Sequence, residues 1–304
     1  MEDRGAVQLA QAIVEADPSP LVSINLASNG VADWGASTLG EALAKAPELE
    51  SLCLGGNKIE EWGVEGISKG LMENKSLTTL DLNSNRIQAG AMEKLGAALR
   101  GHPTLAVLKL GGNRIGDKGI KILAPALAEM CCLSHLSLME NRILVDGAGE
   151  LRQALSGSTT LVELSLPSNN MGDQGAAEMA ALLHVNRSIT ACDLGRCGFT
   201  SSGTEALAKG LVGNNVIANL CLQGNNCGDE GAIALAEHAL SPNGCSVSVL
   251  HLGDNSIGER GGEALAAAFP GNCSVTNMDL DGNNISEATK EAVFRATSGN
   301  KFGW

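Results

Sequence analysis

His251, Asp254, Asp279 and Asp281 could put an imidazole beside several carboxylates. Such a set can attract a basic peptide by charge, or hold a metal ion. No other chemical signature accompanies it. There is no Walker A run, zinc spacing or nucleophile elbow. "GGNK" at 55–58 is Gly-rich but lacks the phosphate-loop spacing. The remaining histidines, His102, His135 and His184 with His238, fall at unrelated positions, and the nine cysteines form no CxxC. The chain is therefore expected to be no enzyme, and to carry no cofactor and no metal. The elements that bring these residues together decide what they do.

Those elements are repeats. The pattern LxxLxLxxNxI occurs ten times. Its ninth position is Asn29, Asn57, Asn85, Asn113, Asn141, Asn169, Cys197, Asn225, Asn255 and Asn283. The step along this column is constant except between Asn225 and Asn255, where it is longer by two. The extra pair falls near "SPNG", 241–244, where a loop can absorb it. In "LTTLDLNSN" Leu77, Leu80 and Leu82 alternate with polar residues, as in a short strand with one buried face. The second half of each repeat turns to helical spacing, with Ile120, Leu123, Ala124 and Leu127 on one stripe. Six residues after the ninth position stands a Gly in eight repeats, for close packing at the helix start. Four residues after it stands an acid in seven, among them Asp33, Glu61 and Asp173, suited to the helix N-terminus.

One strand and one helix cannot bury their own apolar faces, but stacked neighbours can. Parallel strands at roughly 4.8 Å and helices at roughly 9 Å force a curve. The expected fold is α/β: a right-handed solenoid, or horseshoe, with a concave parallel sheet and convex helices. The ninth-position Asn column suits a ladder of buried amides bonded to the backbone of adjacent turns. Cys197 breaks it with a weak donor, so a looser joint is expected there.

The unit LxxLxLxxNxI, with its Gly and helical leucines, resembles the leucine-rich repeats of the ribonuclease-inhibitor type. That subfamily includes the repeat regions of NOD-like receptors and the Ran GTPase-activating protein. The resemblance spans about residues 3–298. It implies a scaffold with diverse users.

The repeat makes 1–304 a single domain: a capping helix at 1–20, ten repeats over 21–298, and a tail at 299–304. "MEDRGAVQLAQAIVEADP" is unlike a signal peptide. It reads as a bare helix half without its strand, either a natural cap or the edge of a cut. At the other end Thr297 stands where other repeats have an apolar residue, as a polar last helix would. No stretch reaches the 18 apolar residues of a membrane span. A net charge of −13 argues against nucleic acid and favours a basic protein partner. Cys192, Cys197 and Cys227 replace core Leu, ladder Asn and core Ile, so the thiols are expected to be reduced, in the cytoplasm or within a cytoskeletal or organellar complex. Three of the four N-x-S/T sequons, Asn74, Asn186 and Asn272, share one column, written by the repeat rather than by glycosylation.

Two surfaces stand out. Alternate strand residues face the concave wall, which is small, polar and free of aromatics. There His251, Asp254, Asp279 and Asp281 form either a solvated rim or a patch for a basic partner. Trp34 and Trp62 occupy an otherwise polar column, five after the Asn. They are either a partner contact or a cap packed on each other and on Arg4. The expected function is a non-enzymatic protein–protein interaction scaffold with no small-molecule substrate. The alternatives are a GTPase activator similar to the Ran activator, for which no activating residue matches, a NOD-like receptor fragment, and a structural subunit of a ciliary or organellar assembly.

Overall fold

Strands of three residues, each followed by a helix, alternate along the described chain. The structure is a computed structural model that describes residues 2–16, 18–241, 244–268 and 274–299. The chain forms two compact units, residues 1–143 and 144–304. The first holds α1 (Glu2–Glu15), β1 (Ser23–Asn25), α2 (Asp33–Leu43), β2 (Ser51–Cys53) and α3 (Glu61–Glu73). It continues with β3 (Thr79–Asp81), α4 (Ala91–Leu99), β4 (Val107–Lys109), α5 (Gly116–Glu129) and β5 (His135–Ser137). The second runs α6 (Val145–Leu155), β6 (Glu163–Ser165), α7 (Gly172–Val185), β7 (Ala191–Asp193), α8 (Ser201–Gly210) and β8 (Asn219–Cys221). It ends with α9 (Gly228–Ala234), β9 (Val249–His251), α10 (Glu259–Ala268), β10 (Asn277–Asp279) and α11 (Glu287–Gly299).

In both units each strand pairs in parallel with the next in sequence, and like positions face each other: Leu52 with Leu80 and Leu80 with Leu108, or Cys192 with Leu220 and Leu220 with Leu250. A strand of three residues needs only its central side chain buried. Those of β1 to β9 are, and the flanking residues stay on the open sheet face. The helices close the other side. Between α2 and α3 the backbones nearly touch: a Cβ on Gly70 would lie 1.9 Å from the Gly40 carbonyl oxygen. Only glycine fits that approach.

The residue before the ladder position is left-handed in all ten repeats. Six of these are not glycine: Ser28, Ser84, Glu140, Ser168, Arg196 and Asp254, with φ between 50° and 60°. The turn out of each strand therefore has one fixed shape, whatever its sequence.

The acids four residues after the ladder position cap helices, but not their own. Asp33 accepts the Glu60 amide at 2.6 Å, Asp173 that of Thr200 at 2.7 Å, and Asp229 that of Gly258 at 2.7 Å. Asp3 of α1 does the same for Ala32 and Gly35. Each carboxylate thus serves the following repeat, where the orphan amides of the next helix start come within reach. Three repeats follow a predecessor without an acid, since Ala89, Val145 and Ser201 stand in that column. There the helix starts differently. Gly116, Gly172 and Gly228 are left-handed, at φ 59° to 62°. Their amides turn to the carbonyls of Asn141, Cys197 and Asn255 at 2.9, 3.1 and 3.0 Å.

The long repeat is not absorbed by the "SPNG" loop alone. A π-helical turn, Leu235–Ala239, continues α9, and the Leu240 amide reaches back to the Leu235 carbonyl at 2.9 Å. The wider turn takes up extra chain within the helix. Pro242 and Asn243 of that loop lie outside the described residues. In α11, Thr297 is buried and returns its hydroxyl to the Val293 carbonyl at 3.1 Å, so its polarity is spent inside the helix.

Candidate functional site

The ladder column is built from the turn upward. Each left-handed residue swings the next side chain inward, under the strand ends. Asn113 donates to the carbonyls of Leu82 and Leu110 at 3.0 and 2.8 Å and accepts the Ile87 amide at 3.0 Å. Asn57, Asn85, Asn225, Asn255 and Asn283 repeat the arrangement. Asn141 donates to Leu110 and Leu138, and Asn169 to Leu166. Asn29 donates to the Ala27 carbonyl at 2.9 Å, and its own backbone amide is held by Asn57 at 3.1 Å.

Cys197 fills the same position with half the bonds. Its thiol donates weakly to the Leu166 and Gly195 carbonyls, both 3.5 Å away. A thiol does not reproduce the two-amide acceptor that Asn225 offers to Cys197 and Phe199. The Met171 amide, in the place Phe199 occupies one repeat later, turns instead to its own neighbour, the Asn169 carbonyl, at 2.8 Å.

A second column lies past the helices, where the sequence shows sequons, and in three repeats it holds a buried amide: Asn74, Asn186 and Asn214. Asn74 donates to Leu43 and Ala46 and accepts the amides of Ser76 and Leu77. Asn186 and Asn214 do likewise. Asn74 and Asn186 are 4% and 2% exposed, so their amides are structural. His102 belongs to the same column. Its Nε2 faces the Asn74 carbonyl at 3.1 Å and its Nδ1 accepts the Leu105 amide at 3.2 Å. The imidazole mimics an Asn by donating with one nitrogen and accepting with the other. Burial, aided by Lys75, pushes its pKa below the ordinary 6.5.

On the sheet face of the second unit, β9 and β10 set His251 against Asp279, Nδ1 to Oδ2 at 4.0 Å. Asp279 is half-committed, since its Oδ1 accepts the Asp281 amide at 2.9 Å. Asp254 and Asp281 sit on the adjoining turns, linked by the Asp254 amide to the Asp281 carbonyl at 2.8 Å. Gln223 reaches Asp254 at 3.3 Å. The four residues named from the sequence are therefore neighbours.

A depression of about 360 Å³ lies beside them, between β6 and β9, and His251 forms its edge. Its other walls include Glu163, Asp193, Asn219, Cys221 and Gln223. Ala191 and Cys192 complete its lining. Burial holds the Cys221 thiol up at about 11, so it is neutral and a poor nucleophile near pH 7. Among the described residues no cluster of three or more His, Cys, Asp or Glu could hold a metal ion.

Trp34 and Trp62 each begin a helix, one residue into α2 and α3, and are 53% and 54% exposed. The acids before them, Asp33 and Glu61, point to the next helix start, which leaves the indoles outermost.

Four segments, 73–96, 101–124, 157–180 and 245–266, match the family model described as Leucine Rich repeat. No curated protein matches the chain in sequence. Among solved structures, a chain of the yeast Rad7 and Elc1 complex is similar, with a TM-score of 0.51 and 16% identity over 97% of this chain and 81% of that one. The tropomodulin C-terminal domain of Caenorhabditis elegans matches at TM-score 0.42 and 16% identity, over 50% of this chain and 90% of that one. The chain carries leucine-rich repeats on an α/β solenoid fold. No helix of the described residues is long and apolar enough to cross a membrane.

Proposed function

We propose that this is a leucine-rich-repeat protein of the ribonuclease-inhibitor type, with the constant period that separates Asn29 from Asn57 and Asn57 from Asn85, and that 1–304 works as one domain that holds protein partners without chemistry of its own. The observation that carries the reading is the exposure of Trp34 and Trp62 at 53% and 54%, in a column that otherwise holds polar residues, Gly90 and Ala288. An indole buried on binding contributes about 2 kcal/mol or more, beyond what Ser or Gly on the sheet face can give. The acidic turns around His251, Asp254, Asp279 and Asp281 are the second candidate contact, for a basic partner, consistent with the net charge of −13. The eight described cysteines are free, which supports a reducing compartment such as the cytoplasm.

The test is capture of partners with the whole chain, followed by titration of a captured partner against Trp34→Ala with Trp62→Ala. A contact role predicts at least tenfold weaker binding with an unchanged unfolding midpoint. A lower midpoint with unchanged affinity would assign the rings to capping instead.

A further inference from the structure

Cys131 and Cys132 stand in the turn between α5 and β5, outside any helix or strand. Their sulfurs are 3.8 Å apart. Cys131 is the exposed one of the eight described cysteines, while Cys132 is half-buried. The Cys132 thiol donates to the Pro103 carbonyl at 3.0 Å. That bond has counterparts. In the same column of other repeats Ser76 donates to Leu49 at 2.8 Å, Thr104 to Leu77 at 2.8 Å, Ser188 to Ser158 at 3.0 Å and Ser246 to Ile217 at 2.8 Å. In these four repeats a hydroxyl in this turn reaches a carbonyl of the repeat before it, within two positions of the one that Pro103 holds. At one joint of the first unit the hydroxyl is replaced by a thiol, and a second thiol stands beside it.

We propose that Cys131 and Cys132 form a reversible thiol–disulfide site that takes low-molecular-weight disulfides such as oxidised glutathione, and that its oxidation releases the tether to Pro103. Cys131, open to solvent, attacks one sulfur of the glutathione disulfide. A Cys131–glutathione bond forms, and one glutathione leaves with the proton. Cys132 then attacks the Cys131 sulfur, the second glutathione leaves with the Cys132 proton, and the Cys131–Cys132 bond closes. The protein loses two protons and two electrons, and one glutathione disulfide takes them up to become two glutathiones. The Cys132 sulfur then has no hydrogen to donate to Pro103. Adjacent Cα atoms are about 3.8 Å apart, short of the roughly 4.4–6.8 Å usual for disulfides. A bond under that constraint is readily reduced, which suits a reversible site.

The experiment incubates the folded chain with oxidised glutathione, maps the peptides by mass spectrometry, and follows hydrogen exchange of residues 101–106. The expected product lacks two hydrogens on the Cys131–Cys132 peptide, reverts with dithiothreitol, and exchanges faster at 101–106. Cys132→Ser restores the column's hydroxyl. It should stop at a glutathione adduct on Cys131 and leave exchange at 101–106 unchanged. A wild-type chain that stops at the adduct, or does not react, overturns the site. A disulfide without faster exchange overturns the tether.

Discussion

At the scale of single residues, the two amide columns divide the work of holding neighbouring turns together. Restoring the missing member, Cys197→Asn, gives the Met171 amide a side-chain acceptor again, and should be neutral or stabilising by up to about 1 kcal/mol. Asn113→Ala strands buried backbone groups and should cost about 1–3 kcal/mol. Equal and negligible shifts of the urea midpoint for both would refute the ladder. His102 adds a pH dependence. Its folded pKa lies below 6.5, so the unfolded chain takes up the proton first. The stability it supports is complete above pH 6.5 and declines as pH falls below that value. His102→Asn, the residue found elsewhere in the column, should flatten the midpoint between pH 7 and 5. An unchanged slope would show that the imidazole protonates in place. The first column was legible because Asn recurs in it. The second showed in the sequence as sequons sharing one column, but its bonds to the backbone did not, because Ala46, His102, Met130 and Ser158 interrupt the run of Asn.

At the scale of elements, the helices are set by what they exclude. With the Gly40 oxygen 1.9 Å from where a Gly70 Cβ would lie, Gly70→Ala must push α2 and α3 apart. A loss of about 1–3 kcal/mol is expected, as for other overpacked sites. Gly157→Ala is the control, since nothing lies within 4 Å of its Cβ position. It should leave the midpoint where it is or raise it slightly. Strand and helix order followed directly from the change of hydrophobic period. The direction of the acid caps did not. Spacing places Asp33 at the start of α2, and only the stacking of neighbours places its oxygen on the Glu60 amide of the next helix. The π turn escaped for a similar reason, since an insertion of two residues does not say whether helix or loop receives it.

At the scale of the whole molecule, the buried thiols make folding sensitive to alkali. Burial raises Cys197 to about 12 and Cys227 to about 11 from an ordinary 9.0. Above pH 9 the unfolded chain releases protons that the folded chain keeps, so stability falls as pH rises toward 11. Each such thiol contributes a slope of about 1.4 kcal/mol per pH unit. Cys227→Ala should make the decline shallower in urea titrations between pH 9 and 11, and the same slope in both proteins would rule the thiol out. The acidic patch was legible as four residues. The depression beside it was not, because its lining draws Ala191 and Cys192 together with the charged and polar residues around them.

The alternation of carboxylate-capped and glycine-started helices gives the chain a grammar of pairs. Gly116, Gly172 and Gly228 recur in every second repeat, each after a repeat that offers no acid. Between Ala89 and Ser201, where the alternation holds, neighbouring repeats are therefore not interchangeable, but repeats two apart are. Excising residues 158–185 would place Val145, which offers no carboxylate, before the helix that begins at Ser201 and expects one. Excising 158–213 would place it before Gly228, which expects none. The larger deletion keeps the joint and the smaller one breaks it, so this stretch should tolerate the loss of two repeats better than the loss of one.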